Sequence, residues 1–373
     1  MTIDVALGDV CEFLDHKRKP VTEGLRASGP YPYYGANGQQ GWIDDFLFDE
    51  PLVLLAEDGG HFGSTTKPIA YKIQGKTWVN NHAHVLRPLP ECDIDYLAHV
   101  LSFFDVSKFI NGSTRPKLTK GNAENIRIPL PSLSKQRRLA QLLGKADHLR
   151  LMRRYALQMC DEIMPSAFLT MFGDPSTNPK RWDQETIDDV LQSSQYGTSQ
   201  KSTQDSKGYP ILGMTNITED GRIILSPLSF VDLPAETFKL LKLQSGDIIF
   251  NRTNSTELVG KTACWRLNMD AVIASYLVRL QLKPHILPEF FVALLNTKYF
   301  KVLFQERCKK AVGQSNISPT LLREFRIYVP PMKLQQEFAD LFARHEELRA
   351  THIEALRQAD HLFQSLLQKA FAR

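Results

Sequence analysis

The chain has 373 residues, 43% apolar and 10% aromatic, which is enough for two ordinary domains with sizeable cores and excludes a disordered polypeptide or a small disulfide scaffold. Its 45 basic and 41 acidic residues leave a formal net charge of +4, so bulk charge selects no partner, and any nucleic-acid surface must come from local placement of charge. The five cysteines, Cys11, Cys92, Cys160, Cys264 and Cys308, are odd in number and contain no C-x-x-C pair, which suits a reducing cytoplasm better than a disulfide framework or a zinc ribbon.

The opening residues MTIDVALGDV lack a basic segment followed by an apolar one, and no apolar run approaches the roughly 18 residues needed to span a bilayer. A soluble, cytoplasmic protein that does not engage a membrane is expected. From there to residue 125 the chain is rich in Gly, Pro, Asn and aromatics, with short apolar runs such as PLVLLAED and AYKIQG that read as strands separated by turns. A short helix, DYLAHVLSFF, closes this half and is followed by a polar, basic loop, NGSTRPKLT. Gly, hydroxyl, amide and cationic residues together bring backbone N–H groups and positive charge close to a phosphate.

The period then changes. After the strand and prolines of IRIPLPSLSKQ, Leu139, Leu142, Ala146, Leu149, Ala156, Cys160, Ile163 and Ala167 recur at spacings of three and four, interrupted by Lys135 and Arg153. That is the heptad seam of a coiled-coil helix of roughly 35 residues, about 50 Å long, and Pro165 is expected to kink or end it. A second strand-rich segment follows, with GDIIFNR, TACWRL and SYLVRLQL as strands, EFFVALLNTKYF as its helix and KKAVGQSNIS as its basic loop. The chain closes on FRIYVPPMKLQQ and a second heptad run through positions 334, 338, 341, 345, 348, 352, 355, 359, 362 and 366.

These two helical runs are copies. Residues 126–172 laid on 325–371 without a gap match at 13 of 47 positions, including Gln136/Gln335, Leu142/Leu341, Leu149/Leu348 and Asp161/Asp360. Weaker echoes extend upstream: YPYYG at 31–35 against YPILG at 209–213, and LGDV at 7–10 against IDDV at 187–190. Two helices with one apolar stripe each most simply bury those stripes against each other, with Leu142, Leu149, Leu341 and Leu348 facing the partner helix. His345 and His352 fall on the seam, where a polar residue more often fixes register than binds metal.

Catalytic signatures are absent from the sequence. No N/D-P-P-F/Y run or Gly-rich S-adenosylmethionine loop accompanies Pro330-Pro331, and the stretch from Ser255 to Thr262 lacks the first glycine of a P-loop. His82-Ala-His84 with Asn80 and Asn81 has no Cys or carboxylate cluster to complete a metal site, and Glu57-Asp58-Gly-Gly reads as a turn. Neither a catalytic residue nor a metal ligand is assigned.

Two globular segments, each followed by a copy of the same long helix, resemble the specificity subunit of type I restriction-modification systems. PLPSLSKQRRLAQLL and VPPMKLQQEFADLF resemble that family's proline-containing approach to its helices, with Gln136 and Gln335 at its glutamine position. Phe172-Gly-Asp-Pro175 followed by Asn178-Pro179 and Trp182 resembles its bridge into the second recognition domain. The resemblance implies an α+β fold: two mixed α/β target recognition domains with β-sheet cores, joined by two long antiparallel coiled-coil helices in a pseudo-twofold internal repeat. The corresponding boundaries are 1–130, 131–172 for the first helix, 173–180 for a linker, 181–329 and 330–373. It also implies a non-catalytic subunit that reads a bipartite target in double-stranded DNA and docks methyltransferase subunits, and through them motor-nuclease subunits. S-adenosylmethionine, ATP and Mg would reside in those partners, with no cofactor in this chain. A stand-alone DNA-binding scaffold or regulator with the same domains is the alternative.

Base reading needs amides, Arg or Lys and hydroxyls on one cleft, and phosphate contacts need cations and backbone N–H groups. In the first half the candidates are Lys17, Arg18, Lys19, Tyr33, Asn37, Ser64, Thr65, Lys67, Asn81, His82, Thr114, Arg115 and Lys117. In the second they are Tyr196, Thr198, Lys201, Asn216, Arg252, Asn254, Ser255, Lys261, Lys310, Gln314, Ser315 and Asn316.

Overall fold

The computed structural model describes residues 3–64, 66–112, 116–311 and 314–371, and its contacts divide the chain into two compact units. The first comprises Met1–Tyr155 with Glu354–Arg373, the second Ala156–Ile353. Each unit therefore contains one strand-rich half and parts of both long helices, Leu133–Phe172 and Met332–Phe371, which are 40 residues each.

In the first unit, LVLLA is buried at every position and forms the strand Leu52–Ala56 in the centre of an antiparallel sheet. A run buried on both faces has no polar alternation, as expected for a central strand. Its neighbours are Ala70–Ile73 and Ala83–Pro88, and Cys11–Phe13 lies beyond the latter. A second sheet holds Gly38–Ile43, Tyr31–Gly35, Lys76–Val79 and Phe48–Asp49, with Tyr31–Gly35 parallel to Lys76–Val79. The helix Ile94–Ser102 begins at Asp93, whose carboxylate accepts the N–H groups of Asp95 and Tyr96. Beyond it, Ile110–Asn111 and Lys117–Leu118 pair as a hairpin at the basic loop.

The second unit repeats this plan. Its antiparallel sheet runs Leu191–Tyr196, Leu277–Leu282, Ile248–Asn251, Thr262–Cys264, and its other sheet again contains one parallel pair, Tyr209–Leu212 with Val272–Ile273. The echoed sequences thus occupy equivalent places: YPYYG and YPIL are the parallel strands, and LGDV and IDDV each form a single helical turn. Helices Pro288–Leu295 and Lys298–Arg307 precede the basic loop, where Lys309–Ala311 and Gln314–Asn316 pair and are extended by Thr253–Asn254. In both units the strand ahead of a long helix pairs with the unit's first strand: Arg127–Leu130 with Ile3–Ala6, and Arg326–Val329 with Asp183–Thr186.

Of the two outcomes expected at Pro165, a kink or an end, the end does not occur: the first helix continues to Phe172. One expectation about the helices needs correction. The leucine seam is displaced. Leu142, Leu149 and Leu348 are 43%, 40% and 47% exposed, and of the four expected packing leucines only Leu341 lies against a core. In the first unit the buried residues are Leu143, Ala146 and Arg150, packed with Phe363 and Leu367. In the second they are Cys160, Met164 and Phe168, with Phe338 and His345 on the other helix. Several seam positions therefore fall one residue after the expected ones.

The cause is visible in the side chains. Apolar residues stand in adjacent pairs, Leu142-Leu143 and Leu341-Phe342, so their letters do not fix the phase. The buried position at 150 carries an arginine, whose guanidinium lies 3.9 Å from the Phe363 ring centre and pairs with Asp147 at 2.5 Å. His345 is buried as a seam residue and its Nε2–H donates to the Cys160 carbonyl at 2.8 Å.

Truncating Leu143 to Ala should cost about 2 to 5 kcal/mol, whereas Leu142→Ala should fall within about 0.5 kcal/mol of the unaltered chain. Urea unfolding midpoints of the two variants check this, and equal losses would restore the leucine seam.

Candidate nucleic-acid interface

In the first unit several candidates gather around the turn that follows the central strand, at Glu57–Gly59. Arg18 donates to Glu57 Oε2 at 2.6 Å and to the Ala83 carbonyl at 2.7 Å, and Lys117 Nζ lies 3.0 Å from Glu57 Oε1. His82 pairs through Nδ1 with Asp58, and Asn37 donates to the Gly59 carbonyl at 2.9 Å. The main chain closes the same cluster, since Leu118 N–H donates to the Glu57 carbonyl at 2.7 Å. Lys17, Lys19, Lys67 and Asn81 are exposed, and the Ser64 hydroxyl accepts the N–H groups of Thr66 and Lys67. Thr65, Thr114 and Arg115 lie outside the described residues.

Beneath this cluster lies a charge network that sequence reading missed. Asp15, Glu57 and His84 bring ligand-type atoms within 4.8 Å of one another, a grouping able in principle to hold a cation. Their surroundings do not fit one. Both carboxylates already face cations, Arg18 and Lys117, and both His84 ring nitrogens are engaged, by Asp15 and by the Leu118 carbonyl. Burial alone would raise the Asp15 carboxyl, but the His84 ring, the Val85 N–H and the Arg18 guanidinium outweigh it and hold the group below the usual carboxylate range. Glu57 is lowered in the same way, by Arg18 and Lys117 acting against burial. His84, in the strand Ala83–Pro88 and two residues from His82, is fully buried, and strand alternation alone would have set it on the same face as the half-buried His82.

In the second unit the centre is Arg252. Its guanidinium lies 5.0 Å from the ring centre of Tyr196, itself 50% exposed, and donates to the Ser275 carbonyl and to Asn316 Oδ1, each at 3.3 Å. Ser275 N–H in turn donates to the Thr198 carbonyl at 2.9 Å. The strand pairing Thr253↔Asn316 and Asn254↔Ser315 places this group beside the basic hairpin, with Lys310 on its outer strand and an exposed Gln314. Ser255 N–H donates to Asn254 Oδ1, and Lys201 is exposed.

Five candidates are too buried to present their polar groups at a surface. Tyr33 is 1% exposed, with its hydroxyl on the Val21 main chain and Arg26 over its ring. Asn216 spends its amide on the Ile224 and Pro227 carbonyls and the Gly213 N–H. Lys261 is 8% exposed and donates to the Met214 and Ile217 carbonyls at 2.9 and 2.5 Å, on either side of Asn216. Ser315 bonds Thr256, and Asn254 bonds its own neighbour. Residue type signals a polar contact and not its direction: these groups are internal struts.

Comparison with known proteins adds the following. The family model described as "Type I restriction modification DNA specificity domain" matches residues 3–154 and 179–358. A putative type I restriction enzyme specificity subunit from Haemophilus influenzae is 37% identical over 140 residues, covering 37% of this chain and 35% of that one. A second putative specificity subunit, from Methanocaldococcus jannaschii, is 29% identical over 202 residues, 52% of this chain and 46% of its own. These alignments span less than half the length of either relative. The crystal structure of a type I restriction-modification S subunit from M. genitalium covers all of this chain and 96% of its own, with a TM-score of 0.64 at 14% identity, a likeness of fold.

If Lys261 is a strut, Lys261→Ala strands two buried carbonyls and should cost about 1 to 3 kcal/mol while the salt dependence of duplex binding stays unchanged. Thermal unfolding together with binding titrations over a salt series checks both halves. A salt slope smaller by about one unit would return Lys261 to the phosphate contacts.

Proposed function

The chain belongs to the family of type I restriction-modification DNA specificity subunits, and from that premise we propose that it is the non-catalytic subunit that reads a bipartite sequence in double-stranded DNA. Each strand-rich half reads one half-site. The observation that carries this reading is the duplicated placement of cationic, amide and hydroxyl groups: a basic hairpin stands beside a second polar segment in each unit, Lys117 with Arg18 in one and Gln314–Asn316 with Arg252 in the other. Cations fix the register on phosphates, while Arg and Asn side chains read base edges.

The two long helices act as an antiparallel coiled-coil ruler in a pseudo-twofold molecule, with the two readers on it. A helix of 40 residues is about 60 Å long, sufficient to address sites about one duplex turn or more apart, roughly 34 Å. The leucines displaced from the seam have a role in this reading. Leu142, Leu149 and Met152 in the first unit, and Met159 and Ile163 in the second, leave apolar surface exposed on the first helix. Such surface suits a protein partner, and we assign it to methyltransferase subunits, through which motor-nuclease subunits join. S-adenosylmethionine, ATP and Mg belong to those partners.

Co-purification is the direct test. The tagged chain should bring down a methyltransferase, and methyl transfer to DNA should require both components; transfer by the isolated chain, or DNA binding with no methyltransferase associated, would overturn the assignment, the latter in favour of a stand-alone regulator. Inserting one heptad in both helices should lengthen the spacer between half-sites by about three base pairs, from about 10 Å at 3.4 Å per step, and leave the half-sites unchanged. Selection of bound duplexes from a random-spacer library reads this out. An unchanged spacer in a folded, binding variant would show that the partners set the distance.

A further inference from the structure

His84 is fully buried, and both of its ring nitrogens face groups that accept hydrogens. Nδ1 lies 2.6 Å from Asp15 Oδ2, and Nε2 lies 2.8 Å from the carbonyl oxygen of Leu118. A neutral imidazole carries one N–H and one lone pair, so in this setting one of the two contacts would set a lone pair against a lone pair. The Leu118 carbonyl has no hydrogen to give. Asp15 has none while ionised, and its other oxygen already accepts the Val85 N–H at 3.0 Å. Only the doubly protonated ring satisfies both neighbours.

The surrounding charges agree. Asp15 and Glu57 supply two negative charges, and Glu57 Oε2 lies 3.8 Å from His84 Nδ1. Arg18 bridges the two carboxylates at 3.3 and 2.6 Å, and Lys117 meets the far oxygen of Glu57. The remaining face of His84 is the Phe13 ring, edge-on with centres 5.7 Å apart. His82, paired with Asp58, is the other histidine of this cluster.

We propose that His84 is a buried imidazolium that positions the first unit's two cationic segments, clamping the 15–19 segment through Asp15 and the base of the basic hairpin through the Leu118 carbonyl. The inference rests on the DNA-reading assignment above and deepens it: His84 touches no DNA and acts through Arg18 and Lys117. Losing one ring proton would break one of the two clamps, so duplex affinity depends on the state of a side chain the duplex never meets. Burying a charge is tolerated here because it is paired and hydrogen-bonded on both sides.

The full chain, labelled with 13C and 15N at its ten histidines, tests the protonation state directly, the His84 ring being assigned by through-bond correlation to its own backbone. Both ring nitrogens of His84 should resonate as protonated at neutral pH; a single neutral tautomer would overturn the proposal, and this readout on the unaltered protein holds even where a His84 variant fails to fold. In binding titrations, His84→Gln should weaken every duplex roughly tenfold, the scale of one charge-assisted hydrogen bond. Absence of duplex binding by the unaltered chain with its methyltransferase removes the DNA reading, a failure that the ring signal distinguishes from failure of the imidazolium.

Discussion

Each unit depends on one buried glutamine at the start of a long helix. Gln136 donates from Nε2 to the Pro131 carbonyl at 2.8 Å and the Glu91 carbonyl at 2.9 Å, while Oε1 accepts the Asp93 N–H at 2.7 Å. Gln335 repeats this with the Pro330 and His285 carbonyls at 2.8 and 3.1 Å and the Leu287 N–H at 2.8 Å. Both side chains are fully buried, and each amide ties a proline strand, a helix start and a loop of the globular half into one junction. Three hydrogen bonds to main chain from three directions leave the helix little freedom to swivel on its own sheet, and a buried amide without them would be strongly destabilising. This fixed start gives the phase of everything downstream on that helix.

The repeat then governs the packing. Arg150 and Asp360 approach at 3.9 Å in the first unit, and their counterparts Arg349 and Asp161 pair at 2.5 Å in the second. At these two positions identity between the copies marks a contact used in both units, whereas the identical pair Leu149/Leu348 stays exposed in both. Departures mark where the halves differ. Arg222 in the second unit reaches Asp161 and Glu346, both at 3.3 Å, tying a loop of the strand-rich half to its helices.

The sequence was legible wherever period or repetition carried the information. The strand-rich halves, the two basic loops and both helices followed from alternation, turn residues and the shift of 199. The seam was not, because Leu142-Leu143 offers two phases and an arginine at 150 hides a buried position. Among the interface candidates, Arg18, His82, Lys117, Arg252 and Asn316 converge, while Tyr33, Asn216 and Lys261 turn inward. Their residue types suit either role, and only the packing of the surrounding strands decides which. Asp15 was missed, and His84 was set aside for want of a carboxylate, because the buried ion network joins residues 69 apart in sequence.

The central claim, that each unit reads its own half of the target independently, is tested most directly by altering one reader. With the methyltransferase present, Arg252→Ala should relax sequence preference at positions in one half-site only, when duplexes bound by the variant and by the unaltered chain are selected from a randomised library and sequenced. The other half-site and the spacer should be unchanged. Relaxation spread over both half-sites would contradict independent reading.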